Sequence, residues 1–158
     1  MADFKDLYRK DLILTSQAKS KEAVLEEVAA ILEDKDLVTS DFASEIVKRE
    51  SSYPTGLDLA VVNPDSPNVA IPHTEADYCK GQAIVYVKLD QEVTFHNMIK
   101  PEEDLAVKYL FMIINNQGGD QTTVLSDLMA FFTQPGNIDR LEELDDAEAV
   151  YQFLSGNN

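Results

Sequence analysis

The sequence predicts a layered α/β domain in which helices cover both faces of a sheet. Helix-period apolar stripes occur before residue 50 and again after residue 120. Between them lie two apolar runs rich in β-branched and aromatic residues, and glycines and prolines mark the junctions.

Residues 20–34 read as an amphipathic helix. Ser20 can cap it, Glu22 suits the first turn, and Val24, Leu25, Val28, Ile31 and Leu32 share a face. A second helix starts near Ser40 or Asp41, buries Phe42, Ile46 and Val47, and ends before Pro54, because the residue before a proline leaves helical geometry. Arg49 then sits at its carboxyl end. Pro54, Gly56, Pro64, Pro67 and Pro72 forbid continuous helix over the next twenty residues, leaving Leu59–Val62 and Val69–Ile71 as short strand-type pieces. AIVYVKL at 83–89 and LAVKYLFMII at 105–114 read as better strands, the second apolar enough to be covered on both faces. Gly118 and Gly119 break the chain. Asp120 can cap a helix to about Thr133, with Val124, Leu125, Leu128, Phe131 and Phe132 on one face, and Pro135 and Gly136 stop it. Short helices near 138–143 and 146–154 complete the pattern. No repeat, low-complexity tract or linker divides the 158 residues, so residues 1–158 read as one domain.

Composition narrows the function. The 44% hydrophobic content suits a globular protein, and no apolar run reaches the ~20 residues needed to cross a bilayer. The amino terminus lacks the uninterrupted apolar core of a signal peptide, so a cytoplasmic location is expected. Twenty-nine acidic against thirteen basic residues give a net charge of −16, which repels nucleic acid and anionic lipid and favours basic protein partners. The same charge also serves solubility alone, and the acidic run from Asp139 to Glu148 reads either as a surface that steers a basic partner or as a solvated face.

Candidate nucleophiles are few, because the chain has two histidines and one cysteine. His73, in NVAIPHTEAD, follows a short strand and a proline, a rigid position at a sheet edge. Glu75 and Asp77 could orient its ring. A purely structural strand-end histidine fits the same spacing. A metal site on His73 with Glu75 or Asp77 lacks an H-E-x-x-H helix or a cysteine pair, and a Cys79–His73 dyad would draw on a cysteine in an ordinary polar stretch. Neither a Walker loop nor a Rossmann fingerprint is present. In IVKRESSYPTGLDL, Arg49 offers a fork matching phosphate oxygens, Thr55 a hydroxyl, and Gly56 a close approach or a positive φ. Arg49 as a plain surface cation favoured by the helix dipole remains the alternative.

Taken in order, Arg49-Glu50, Pro54-Thr55-Gly56-Leu57 and Val69-Ala70-Ile71-Pro72-His73 resemble the signature of the enzyme IIA domains of the bacterial phosphotransferase system, fructose–mannitol class. The pattern is most similar to the galactitol-specific branch and extends over residues 10–155, including the VTF segment at 93–95. The resemblance implies a three-layer α/β/α sandwich around a mixed, mainly five-stranded sheet. It implies that phospho-HPr phosphorylates His73, that Arg49 and Thr55 bind the phosphoryl group, and that a cysteine of the IIB component receives it for sugar uptake through membrane IIC. Neither a metal nor a nucleotide cofactor is implied. Mannitol-type members carry a second histidine where this chain has Gln121, which can donate a hydrogen bond but cannot become cationic. A regulatory IIA-like module, switched by phosphorylation of His73, is the alternative of a different class.

Overall fold

The structure, a computed structural model, describes residues 4–61, 66–117, 121–134 and 136–156. Five strands form one mixed sheet: β1 (Tyr8–Ser16), β2 (Gly56–Leu57), β3 (Asn68–Ala70), β4 (Gln82–His96) and β5 (Asp104–Asn115). Their order across the sheet is β1-β4-β5-β3-β2. The hairpin of β4 and β5 is antiparallel, β1 joins β4 and β3 joins β5 in parallel, and β2 closes one edge antiparallel to β3.

Helices α1 (Lys21–Asp34) and α2 (Phe42–Ser52) cover one face, while α3 (Gln121–Thr133), α4 (Asn137–Glu143) and α5 (Ala147–Ser155) cover the other. The expected three-layer sandwich with a five-stranded mixed sheet is what forms. Strand alternation explains the two cores. Ala83, Val85 and Val87 of β4 face α1 and α2, and Ile84 and Tyr86 face α3 to α5. Phe111 anchors the second core, edge-on to Tyr86 at 5.5 Å and to Phe132 at 4.9 Å between ring centroids.

The caps follow local chemistry. Ser20 accepts from the Ala23 N–H at 3.1 Å, and Asp146 accepts from the Ala149 N–H at 2.7 Å. Gly136 adopts φ 90° just before α4. The expected break at Gly118 and Gly119, the cap at Asp120, and Pro64 and Pro135 lie outside the described residues.

One sequence expectation changes, and one element was not foreseen. The charged amino-terminal stretch is strand β1, whose inward alternation is hidden by a register shift between Tyr8 and Ile13. Leu59–Val61 is a short 3-10 turn rather than a strand, and Val62 lies outside the described residues. Asp58 causes the turn by accepting from the Ala60 N–H at 3.0 Å, while Asn68 takes the Leu59 N–H at 3.0 Å.

β2 is gripped from two sides. Gly56 pairs with Ala70 of β3, and on its other side its carbonyl accepts from the Met98 N–H at 2.8 Å. The backbone leaving β4 passes so close that a Cβ on Gly56 would stand 2.5 Å from the His96 carbonyl oxygen and 3.2 Å from Leu105 Cδ1. Close approach, not a positive φ, is therefore what requires glycine here. Gly56→Ala should lose about 1–3 kcal/mol, the usual cost of forcing a methyl into a packed site. Urea unfolding measures this, and an unchanged midpoint would show that the hairpin yields freely.

Candidate active site

The two segments singled out by the sequence meet at the β2–β3 edge. Thr55, just before β2, accepts through its carbonyl from the Ile71 N–H at 3.2 Å, extending the ladder one step past Ala70. Pro72 contributes no N–H, but its carbonyl accepts from the Ile113 N–H of β5 at 3.0 Å. His73 is thus held on the end of β5 by its neighbour's backbone.

The His73 ring is oriented by Nδ1, which lies 2.8 Å from the Ile71 carbonyl oxygen. A carbonyl only accepts, so Nδ1 carries the proton and Nε2 keeps its lone pair when the ring is neutral. Neither Glu75 nor Asp77, the expected orienting groups, bonds the ring; the backbone two residues upstream does so instead. Burial lowers the His73 pKa below its ordinary value, and the Arg49 guanidinium lowers it further, while the Ile71 carbonyl works in the opposite direction. The neutral ring prevails near pH 7.

Arg49 lies in the last turn of α2, as expected, with its guanidinium carbon 5.2 Å from the centroid of the exposed Tyr53 ring. Among the described residues it forms no ion pair, so its fork is uncommitted to any carboxylate. A cleft of about 250 Å³ opens beside it, its lining including Glu45, Lys48, Arg49, Tyr53, Thr74 and Glu75.

Thr55 is placed differently from the expectation that its hydroxyl would meet phosphate. It is 4% exposed, and its Oγ1 donates to Glu50 Oε1 at 2.8 Å while its N–H donates to Glu50 Oε2 at 2.8 Å. Glu50 is the residue that sequence reasoning passed over. Its signal was present: it falls four residues after Ile46 and eight after Phe42, on the stripe that α2 buries. At 2% exposure its carboxyl is pushed up to about 7, chiefly by desolvation, with both Thr55 bonds and Lys21 opposing the rise.

No hydrogen bond or ion pair among the described residues joins Cys79 or His96 to His73 or Arg49. Gln121 is the first residue of α3, and its side chain lies outside the described residues. Cys79 is buried, with Sγ 3.7 Å from Thr74 Oγ1 rather than in an open polar stretch. His96 ends β4, its Nδ1 3.1 Å from Asp104 Oδ1 across the ladder but without hydrogen-bond alignment.

Comparison with known proteins places this geometry. The family model described as "Phosphoenolpyruvate-dependent sugar phosphotransferase system, EIIA 2" matches residues 6–157. The galactitol-specific EIIA component of Escherichia coli K12 is 26% identical over 119 residues, 75% of each chain. The crystal structure of the nitrogen regulatory protein IIA-Ntr from Neisseria meningitidis superposes with a TM-score of 0.74 at 25% identity, covering 95% of this chain and 97% of that one. Enzyme IIAMTL, solved in complex with phosphorylated enzyme IIBMTL from Escherichia coli, gives the same TM-score of 0.74 at 20% identity, with 95% and 97% covered.

The buried carboxyl has a pH signature. Glu50 rises from 4.5 to about 7 on folding, so the folded chain binds the extra proton. Its contribution is fully present below pH 4.5 and is lost as pH rises through 7, by on the order of 3 kcal/mol. His73, lowered on folding, has the opposite sign and costs stability as pH falls below its ordinary range. Unfolding free energies of the wild type and Glu50→Gln, compared from pH 4.5 to 8, isolate the first effect. The wild type should lose ground steadily against the variant, and a pH-independent difference would mean that Glu50 ionises alike in both states.

Proposed function

We propose that this chain, which belongs to the phosphoenolpyruvate-dependent sugar phosphotransferase system EIIA 2 family, carries its phosphoryl group on Nε2 of His73. Family membership makes it a phosphotransferase and a phosphoryl carrier of a sugar phosphotransferase system. The observation that carries the assignment of His73 is the bond between Nδ1–H and the Ile71 carbonyl, which leaves a neutral, oriented Nε2 near a guanidinium that makes no ion pair among the described residues.

In the proposed cycle, a histidine of phospho-HPr donates the phosphoryl group. The Nε2–P bond forms as the donor's P–N bond breaks in line, and the donor nitrogen leaves with the electron pair. No proton has to leave His73. Its ring becomes formally cationic as the bond forms, and the Nδ1–H bond to the Ile71 carbonyl strengthens with it. Arg49 disfavours an imidazolium but favours the dianionic phosphoryl oxygens, so its influence changes sign between the free and loaded states. Positioning and charge supply the catalysis. A docked partner excludes water from the P–N bond, and a cysteine of the IIB component then takes the group for sugar uptake through IIC. Thr55 serves the phosphate indirectly, by holding the loop that follows Arg49. The work is done in the cytoplasm; no helix among the described residues is long and apolar enough to cross a membrane.

A regulatory role on the same chemistry is the second reading, favoured by the likeness to nitrogen regulatory IIA-Ntr. In that case phosphorylation of His73 would change affinity for a target and feed no sugar uptake. Genes for IIB and IIC beside this one would decide for transport.

Two outcomes test the assignment. Phosphoenolpyruvate with the general donor proteins should add one acid-labile, base-stable phosphoryl group, lost in His73→Ala and kept in His96→Ala; label persisting on His73→Ala would end the proposal. Arg49→Lys keeps the charge but loses the fork, so single-turnover transfer should slow by about 10-fold or more. Unchanged rates in both directions would reduce Arg49 to a helix-end cation.

A further inference from the structure

We propose that Glu50 is a positioning residue for the transfer: its buried carboxyl holds Thr55, and through Thr55 and Ile71 it sets the His73 ring. The inference rests on His73 being the phosphoryl acceptor.

The case begins with a local inconsistency. Phe42, Ile46 and Glu50 occupy the buried stripe of α2, and a carboxyl at the third position breaks the apolar pattern that packs this helix. Burying it costs free energy unless its oxygens are matched. Both are matched, and by one residue: Oε2 takes the Thr55 N–H and Oε1 takes the Thr55 hydroxyl, each at 2.8 Å. The remaining polar group of Thr55, its carbonyl, takes the Ile71 N–H. The Ile71 carbonyl in turn takes the His73 Nδ1–H. Three successive contacts therefore run from the helix bearing Arg49 to the ring.

The connection carries position, not polarisation. The N–H and C=O of Thr55 belong to different peptide units, as do those of Ile71, so no conjugated path crosses either residue. What Glu50 fixes is where the Thr55 carbonyl stands, hence where the Ile71 peptide lies, hence which ring nitrogen holds the proton. Arg49 sits one residue before Glu50, so the same anchor ties the cation's helix to the nucleophile's strand. A shift of about 1 Å between the two is enough to cost a large factor in transfer rate.

The test separates anchoring from bulk. Glu50→Gln retains an oxygen for the Thr55 N–H and an amide for its hydroxyl, whereas Glu50→Met keeps the length and removes both partners. Nitrogen-15 spectra of the His73 ring in the unphosphorylated protein should show the Nδ1–H tautomer dominating in the wild type and in Glu50→Gln. Glu50→Met should admit the Nε2–H tautomer and slow single-turnover transfer by about 10-fold, with affinity for HPr unchanged. Should Glu50→Met fail to fold, Thr55→Val removes one of the two bonds and should move the ring spectrum the same way to a smaller extent. A folded Glu50→Met or Thr55→Val protein with the wild-type ring spectrum would overturn the proposal. The spectrum is read without any phosphodonor, so an unlabelled His73 counts against the proposed function and an unmoved ring counts against Glu50.

Discussion

The Ile71 peptide backbone is the constraint on which the site depends. Its N–H ties β3 to the Thr55 loop, and its carbonyl selects the tautomer of His73. A side-chain carboxylate in that second role would have drawn the ring toward the charged state. A neutral carbonyl orients it with a much weaker pull, and burial is then free to keep the imidazole unprotonated. A nucleophile needs both properties together: a fixed direction and an available lone pair. The proline at position 72 contributes by removing an N–H that would otherwise compete for the same edge, while its carbonyl stays pinned to Ile113.

Around that peptide, groups of opposite proton preference sit close together. Glu50 is held toward its neutral form by desolvation, and His73 is held toward its neutral form for the same reason. Arg49 carries a fixed charge in the neighbourhood, with no ion pair to a carboxylate among the described residues, while Lys48, Glu45 and Glu75 line the same cleft. Under the proposed cycle, an arriving phosphoryl group would meet that guanidinium beside the cleft.

Much of this was legible in the residues. Helix periodicity located α1, α2 and α3 to within a residue or two, and it named most of their buried faces; Ile31, Val47, Leu125 and Phe131 lie at the partly buried margins. The AIPH and R-E-x-x-x-P-T-G segments indicated which loops meet. What escaped were features fixed by pairing rather than by pattern. β1 reads as charged because Arg9, Lys10 and Asp11 interrupt it, and a register shift scrambles its alternation. Leu59–Val61 is apolar enough for a strand, yet one aspartate carboxylate bends it into a turn. Thr55 offered a hydroxyl whose direction no linear reading could assign, and Glu50 drew no structural role until the helix face was counted. The carbonyl that orients His73 was invisible, because main-chain acceptors leave no trace in residue type.

The parallel pairing of β3 with β5 matches Val69 to Tyr109 and brings together segments that the whole β4 excursion separates along the chain. Bringing such segments together costs loop-closure entropy, a cost that grows only slowly with their separation. The cradle around His73 therefore needs the sheet to be paired; coiled helices alone do not build it. Any event that loosens the β3–β5 pairing, even with every helix intact, would take away the strand end on which His73 is carried.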